Sequence, residues 1–265
     1  MTTALITGAS SGIGEAFARR LAADGYDLFL VARSEDKLSI LCNELKTTHA
    51  VKADFLSIDL SKNDSDSALF GETEHRGVEI GLLVNNAGFG SMGDFAELPI
   101  GRELEMIDLN IRALVGLTHR YLAGMRTRKS GTIINVSSAA GFQPTPFMAT
   151  YAATKSFVTA FSEAIAEENR PFGIQVLALC PGSTETNFHE AANMDRALAL
   201  KGQETPAQVV ETAMRAVGTR RAKIVSGWIN WFVALAVNFV PNALVTWLIG
   251  KGLRARFQSD RIKAK

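Results

Sequence analysis

Cysteine is scarce in this chain of 265 residues, where Cys42 and Cys180 are the only two. They lie far apart and outside any CxxC or metal-type spacing, which excludes a disulfide framework and fits a reducing, cytosolic setting. Histidine is equally sparse. His49, His75, His119 and His189 are scattered, so no metal site is expected. Net charge is nearly absent: +1, with a pI near 7.8, offers no bulk electrostatic reason for a nucleic-acid partner. There is no internal repeat and no low-complexity segment. The first residues lack the charged, apolar and cleavage regions of a signal peptide, since Thr3 to Thr7 reads as a strand. What is present is apolar material, 47% of the chain, enough for one sizeable core in a single domain spanning 1–265.

The chain opens with a short apolar run, Ala4 to Thr7, then GASSGIG, then a helical pattern ending at Gly25. Glycines at 8, 12 and 14 do not follow the GxGxxG spacing, yet they serve the same physical purpose. Without Cβ atoms the backbone turns tightly and approaches a pyrophosphate, whose charge meets the helix N-terminus near Ile13. A glycine turn without a ligand is the plainer alternative. The second strand, Asp27 to Arg33, ends on Ala32 and Arg33 and not on a carboxylate. In dinucleotide folds a carboxylate there binds the ribose of NAD, whereas an arginine accommodates the 2′-phosphate of NADP. Arg33 therefore reads either as a solvated cation or as an NADP(H) contact, with Ser10 and Ser11 as further donors.

A third strand within Val51 to Ser61 brings Asp59 to its end, to bond an adenine amine or to cap the following helix, with Ser61 as a rival cap. The run Ile80 to Gly88 reads as a strand buried on both faces, ending in Asn85, Asn86, Ala87 and Gly88. Asn110 stands inside a helical region from about Glu97 to Arg128. A mid-helix asparagine is unfavourable by propensity and marks either a kink with a structural hydrogen bond or a polar place in a site. A fifth strand, Thr132 to Ser138, ends on two hydroxyls, and a sixth, Gly173 to Gly182, closes on Pro181 and Gly182. Strands alternating with helices predict an open, doubly wound parallel α/β sheet of about seven strands with helices on both faces. Right-handed crossovers gather the strand ends around one crevice.

Between the fifth and sixth strands lies Ser138-AAGFQPTPFMAT-Tyr151-AAT-Lys155. Tyr151 and Lys155, four apart on a helix, share one face with Cβ atoms roughly 5–6 Å apart. A lysine beside a phenol is expected to lower its pKa and make it a general acid/base. The YxxxK spacing alone is common; the surrounding motifs give it weight.

Taken together, TGASSGIG at 7–14, Asp59, NNAG at 85–88, Asn110, Ser138, Tyr151, Lys155 and PGSTET at 181–186 resemble the short-chain dehydrogenase/reductase family, in order from about residue 3 to 225. The resemblance is nearest to the branch of 3-ketoacyl reductases and hydroxysteroid dehydrogenases. It implies a Rossmann fold, NADP(H), and a tetrad. Tyr151 would exchange the proton, Lys155 would lower its pKa and hold the nicotinamide ribose, Ser138 would polarise the substrate oxygen, and Asn110 would help position a relay water. Ser137 is the supporting serine. Pro181, Gly182, Thr184 and Thr186 would form the nicotinamide loop, Thr186 against the carboxamide; Thr184 stands where the family more often has an apolar residue. The family also implies a homo-oligomer, a dimer or tetramer built on the helices near Asn110 and Tyr151. A cofactor-binding sensor without turnover is the second functional reading.

Substrate class is written more faintly. Phe89, Met92, Phe95, Phe142, Pro144, Phe147, Met148 and Phe188 suggest an apolar pocket for a lipophilic ketone or acyl thioester, with residues 183–204 as a lid. The extension 227–265 holds all three tryptophans and no charge between Ile224 and Gly250, followed by Lys251, Arg254, Arg256, Arg261, Lys263 and Lys265. Pro241 splits it into two helices of about a dozen residues or fewer. It reads as a cover for the pocket or a subunit contact, as a peripheral membrane surface, or as a span.

Overall fold

The computed structural model describes residues 2–186, 203–237 and 239–263, with side chains up to residue 254. Seven parallel strands form one sheet in the order β3-β2-β1-β4-β5-β6-β7. They are β1 (Thr3–Thr7), β2 (Asp27–Ala32), β3 (Ala53–Ser57), β4 (Ile80–Asn85), β5 (Gly131–Val136), β6 (Ile174–Cys180) and β7 (Lys223–Val225). The order reverses between β1 and β4, and there an open parallel sheet leaves a crevice at its carboxyl edge.

Alternation along each strand builds two cores. From β1, Ala4 and Ile6 face a layer with Phe17 and Leu21 of α1 (Gly12–Ala23), Leu38 of α2 (Glu35–His49) and Val209. Leu5 points the other way, among Leu69 of α3 (Ser65–His75) and Leu117 and Met125. Both faces are covered, which is why the strands read as nearly continuous apolar runs.

The helical region around Asn110 is three pieces: α4 (Ile100–Ile107), a π-helical turn over Asp108–Ala113 and α5 (Leu114–Arg128). The kink expected at this asparagine is thus a π turn, a widening often met at functional sites. Helix α6 (Ala149–Asn169) carries Tyr151 and Lys155. Helix α7 (Pro206–Ala216) begins with a capping box, in which Thr205 Oγ1 accepts from Gln208 N–H at 3.3 Å and Gln208 Oε1 from Thr205 N–H at 2.8 Å.

The C-terminal pair is α8 (Trp228–Val237) and α9 (Asn242–Lys263), with Pro241 just before α9. At 22 residues α9 is longer than the dozen expected. Leucine, arginine and alanine beyond Lys251 are good helix formers, so the basic end continues the helix and does not trail from it. Among the described residues, no helix is long and apolar enough to cross a membrane. Most of the expected lid, 187–202 with Phe188, lies outside the described residues. Its two stems meet: Thr184 and Glu204 form a parallel bridge, and Gln203 Nε2 donates to Ser183 Oγ at 2.9 Å.

Candidate active site

The glycine turn is fixed from both sides. Gly8 has φ +67°, and a Cβ on Gly14 would fall 2.2 Å from the Gly8 carbonyl oxygen, so no larger residue fits there. Asn86 holds the turn by donating from Nδ2 to the carbonyls of Thr7 (3.0 Å) and Gly8 (3.3 Å). Thr7 Oγ1 accepts from the N–H groups of Asn86 and Ala87 at 2.9 and 3.0 Å, tying the end of β1 to the end of β4. Ser11 is the N-cap of α1, yet its hydroxyl makes no capping bond. Ile13 packs on the core, and Gly12 lies against the Thr186 methyl group.

Gly88 brings the next group together. A Cβ there would lie 2.8 Å from Asn110 Oδ1 and 3.6 Å from Lys155 Nζ, so the end of NNAG rests on both. Asn110 Nδ2 donates to Thr154 Oγ1 at 3.1 Å, and that hydroxyl donates to the Tyr151 carbonyl at 2.7 Å. Across the crevice Ala139 N–H donates to the Pro181 carbonyl at 2.8 Å, which sets the Pro181–Gly182 loop beside Ser138. The Ser138 hydroxyl is hydrogen-bonded to the Tyr151 phenol. Ser137 instead bonds inward, to the Lys155 carbonyl and Thr159 Oγ1, both at 2.7 Å.

The electrostatics differ from the expectation for the tyrosine. Burial pushes the Tyr151 phenol up to about 12, and the Ser138 hydrogen bond only moderates this. Burial likewise lowers Lys155 to about 8. The ammonium donates to the Val136 carbonyl at 2.9 Å and sits 5.8 Å from the centroid of the tyrosine ring. Desolvation, which opposes the charged form of each group, wins over their mutual effect.

The model of the family described as short chain dehydrogenase matches residues 2–197. The chain belongs to the short-chain dehydrogenase family. It is 36% identical to a very-long-chain 3-oxoacyl-CoA reductase of Mus musculus over 98% of this chain and 83% of that protein. A protein of the same name from Laccaria bicolor is 39% identical over 65% of this chain, a match that spans about half, 52%, of that relative's length. Among solved structures, a short-chain dehydrogenase from Sphingobium yanoikuyae in complex with NADPH is similar at a TM-score of 0.80 and 30% identity, covering 98% of this chain and 96% of that one. As a short-chain dehydrogenase, the chain is an oxidoreductase.

The glycine turn has features that suit a dinucleotide. Gly8, Gly12 and Gly14 let the turn close tightly on Asn86, Ala87 and Thr186, next to a Ser11 hydroxyl that makes no capping bond and the N-terminus of α1. Farther along, Arg33 is exposed after β2 and forms no salt bridge among the described residues. Ser10 is half-buried in the glycine turn. Asp59 caps no helix. Its Oδ1 accepts from Ser61 N–H and Oγ at 3.0 and 2.8 Å, while α3 begins after Asp64. Burial raises its pKa, but the Ser61 bonds, Lys62 and Arg33 hold it below the usual carboxylate range. Arg33 and Asp59 thus lie apart from the tetrad, under β2 and β3.

Two features were missed by reading residues alone. Thr154 is fully inside and links Asn110 to the Tyr151 backbone, a contact the AAT spacer does not advertise. Gln143, in the loop from Ser138 to Tyr151, has a buried Oε1 with no hydrogen-bond partner among the described residues. In the same loop Phe147 holds φ +64°, a left-handed backbone that costs an aromatic residue strain, and its carbonyl accepts from Gly93 N–H at 2.9 Å.

Proposed function

We propose that this short-chain dehydrogenase reduces the carbonyl of a lipophilic substrate, a 3-ketoacyl thioester or a steroid-like ketone, at the expense of NADPH. The observation that carries the reading is the hydrogen-bonded Ser138–Tyr151 pair with its phenol protonated at neutral pH. A group that must deliver a proton has to hold one first, and a phenol pushed up to about 12 does so. The bound nicotinamide supplies the hydride. Ser138 donates to the carbonyl oxygen as negative charge builds, and Tyr151 passes its proton to that oxygen to give the alcohol. Lys155 adds positive charge beneath the phenol and lies against Gly88, on the side where the cofactor loop runs. The names of the ketoacyl reductase relatives support the substrate class, and so do Phe142, Phe147 and Met148, half-buried around the crevice.

Partners follow from the surface. Ile100, Leu104 and Ile107 form an exposed apolar stripe on α4, which supports a homo-oligomer through this side of the molecule. The apolar face of residues 227–250 supports the peripheral membrane contact. A sensor without turnover has no use for Ser138, Tyr151 and Lys155 in one place. Tyr151→Phe tests the enzyme reading: NADPH binding by fluorescence titration is retained, and ketone reduction falls by about 10²-fold or more. Turnover within a few-fold of the wild type overturns the tyrosine assignment.

A further inference from the structure

Helices α8 and α9 carry the chain's most unusual surface. Trp228 is 73% exposed, Phe239 81% and Trp247 58%, with Trp231, Phe232 and Leu248 also turned outward. Among the described residues only Ala234 of α8 and Val245 and Gly250 of α9 are buried. On the first helix Trp228 and Trp231 both meet the Phe232 ring, and exposed aromatic clusters of this kind mark a surface that meets a partner. The first helix is nevertheless seated against β7 and the turn after Ser138. Asn230 Nδ2 donates to the Ser226 carbonyl at 2.8 Å, and Gly182 packs directly beneath that amide. Gly250 of α9 rests on Pro146, within the loop from Ser138 to Tyr151. The exposed face therefore lies next to the mouth of the catalytic crevice.

Charge selects the occupant. From Thr212 to Ser259 the sequence contains no aspartate or glutamate, and it carries Lys251, Arg254 and Arg256 at the end of the apolar stretch. The Lys251 ammonium lies over the Trp247 ring, 5.3 Å from its centroid, so a cation and an amphipathic ring share one spot. An isologous contact with a second copy would present the same acid-free surface to these cations and leave them without counter-charge. Anionic headgroups supply that charge, tryptophans favour the boundary between headgroup and acyl chain, and neither helix is suited to cross.

We infer that α8 and α9 dock the protein on the surface of an anionic phospholipid bilayer, with their exposed aromatic residues inserted at the headgroup boundary beside the crevice. The docking stands independently of which ketone is reduced.

Flotation of the full chain with vesicles tests it. The protein rises with vesicles of phosphatidylcholine mixed with phosphatidylglycerol, rises less with phosphatidylcholine alone, and loses part of its binding in high salt. Replacing Trp228, Trp231 and Phe239 together by serine reduces the floating fraction at least about tenfold with the melting temperature kept. Should that variant not fold, Lys251→Glu with Arg254→Glu keeps the apolar face and abolishes the preference for the anionic vesicles. A wild type that stays at the bottom with both vesicles overturns the docking. So does a serine variant that floats as before, or one whose only change is a smaller mass by light scattering.

Discussion

Phe89 and Asn110 hold each other at both ends: Phe89 N–H donates to Asn110 Oδ1 at 3.2 Å, and Asn110 Nδ2 donates to the Phe89 carbonyl at 3.0 Å. The π turn makes this exchange geometrically available, because it carries the amide out of the regular helical spacing and toward the end of NNAG. Since Nδ2 also reaches Thr154, one buried side chain positions both the loop after β4 and the first turns of α6. In this arrangement both amide hydrogens and one Oδ1 lone pair are committed to protein, which fits a positioning part for Asn110.

Asn110→Ala leaves the Phe89 N–H and C=O without partners, and buried unpaired groups cost about 1–3 kcal/mol. We expect the melting temperature to fall by about 2–12 °C, from about 2–4 °C per kcal/mol for a chain of this size, together with a drop in kcat at saturating NADPH. Differential scanning calorimetry and steady-state kinetics on the same preparation check this. A lower kcat at an unchanged melting temperature contradicts the clamp and favours a direct part in proton relay.

How much of this could be read from the residues is instructive at Tyr151 and Lys155. Their spacing put them on one face of a helix, and that is where they are. Spacing holds no information about depth, however, and depth decided the sign of the tyrosine's shift. The same limit explains Gln143 and Thr154, whose importance is a matter of which polar atoms lose water. Strand β7 was counted in the total but could not be located, because Lys223–Val225 is too short to show a period and is defined only by pairing with β6. The third strand was expected to run to Asp59 but ends at Ser57, which leaves Asp59 in the turn that follows. Its bond to Ser61 competed with helix capping and won because the chain turns again before α3 starts at Ser65.

Burial of the tetrad makes stability depend on pH in a defined way. Burial lowers Lys155 from its ordinary 10.5 to about 8, so between these values the unfolded chain binds a proton that the folded chain has released. Stability therefore rises with pH across that window and is lost again as pH falls through about 8. Tyr151 acts in the opposite sense. Its phenol is raised from 10.0 to about 12, so its contribution is fully present below about 10 and disappears as pH rises toward 12. Urea midpoints of the cofactor-free protein should climb from about pH 8 to about pH 10, and Lys155→Met should flatten the climb. Equal slopes for the two proteins would show the lysine to be hydrated.

The proposed contact to the 2′-phosphate of NADPH involves Arg33. Arg33 stands exposed beyond β2 with no salt bridge among the described residues, so little is lost by turning it toward a 2′-phosphate. Hydrogen bonds to charged groups contribute about 1.5–3 kcal/mol, which is about 10–100-fold in affinity. Arg33→Ala should raise KM for NADPH by that factor and leave KM for NADH nearly unchanged. Parallel losses with both cofactors would assign Arg33 a structural part instead.

Gln143 gives a test of whether the loop between Ser138 and Tyr151 takes part in substrate choice. Among the described residues its Oε1 is buried without a partner, a state that costs stability unless a further group completes the bond. A lipophilic ketone that carries a second polar group is suited to do so. Gln143→Leu conserves most of the volume and removes the unsatisfied group, so the free protein should become more stable by about 1 kcal/mol. The same change should raise KM for ketones bearing a second hydroxyl, carbonyl or amide by about tenfold, while plain aliphatic ketones are unaffected. Opposite signs in stability and in substrate affinity are what distinguish a recognition group from a packing group. A variant that is less stable and binds all ketones alike would place Gln143 in the second class.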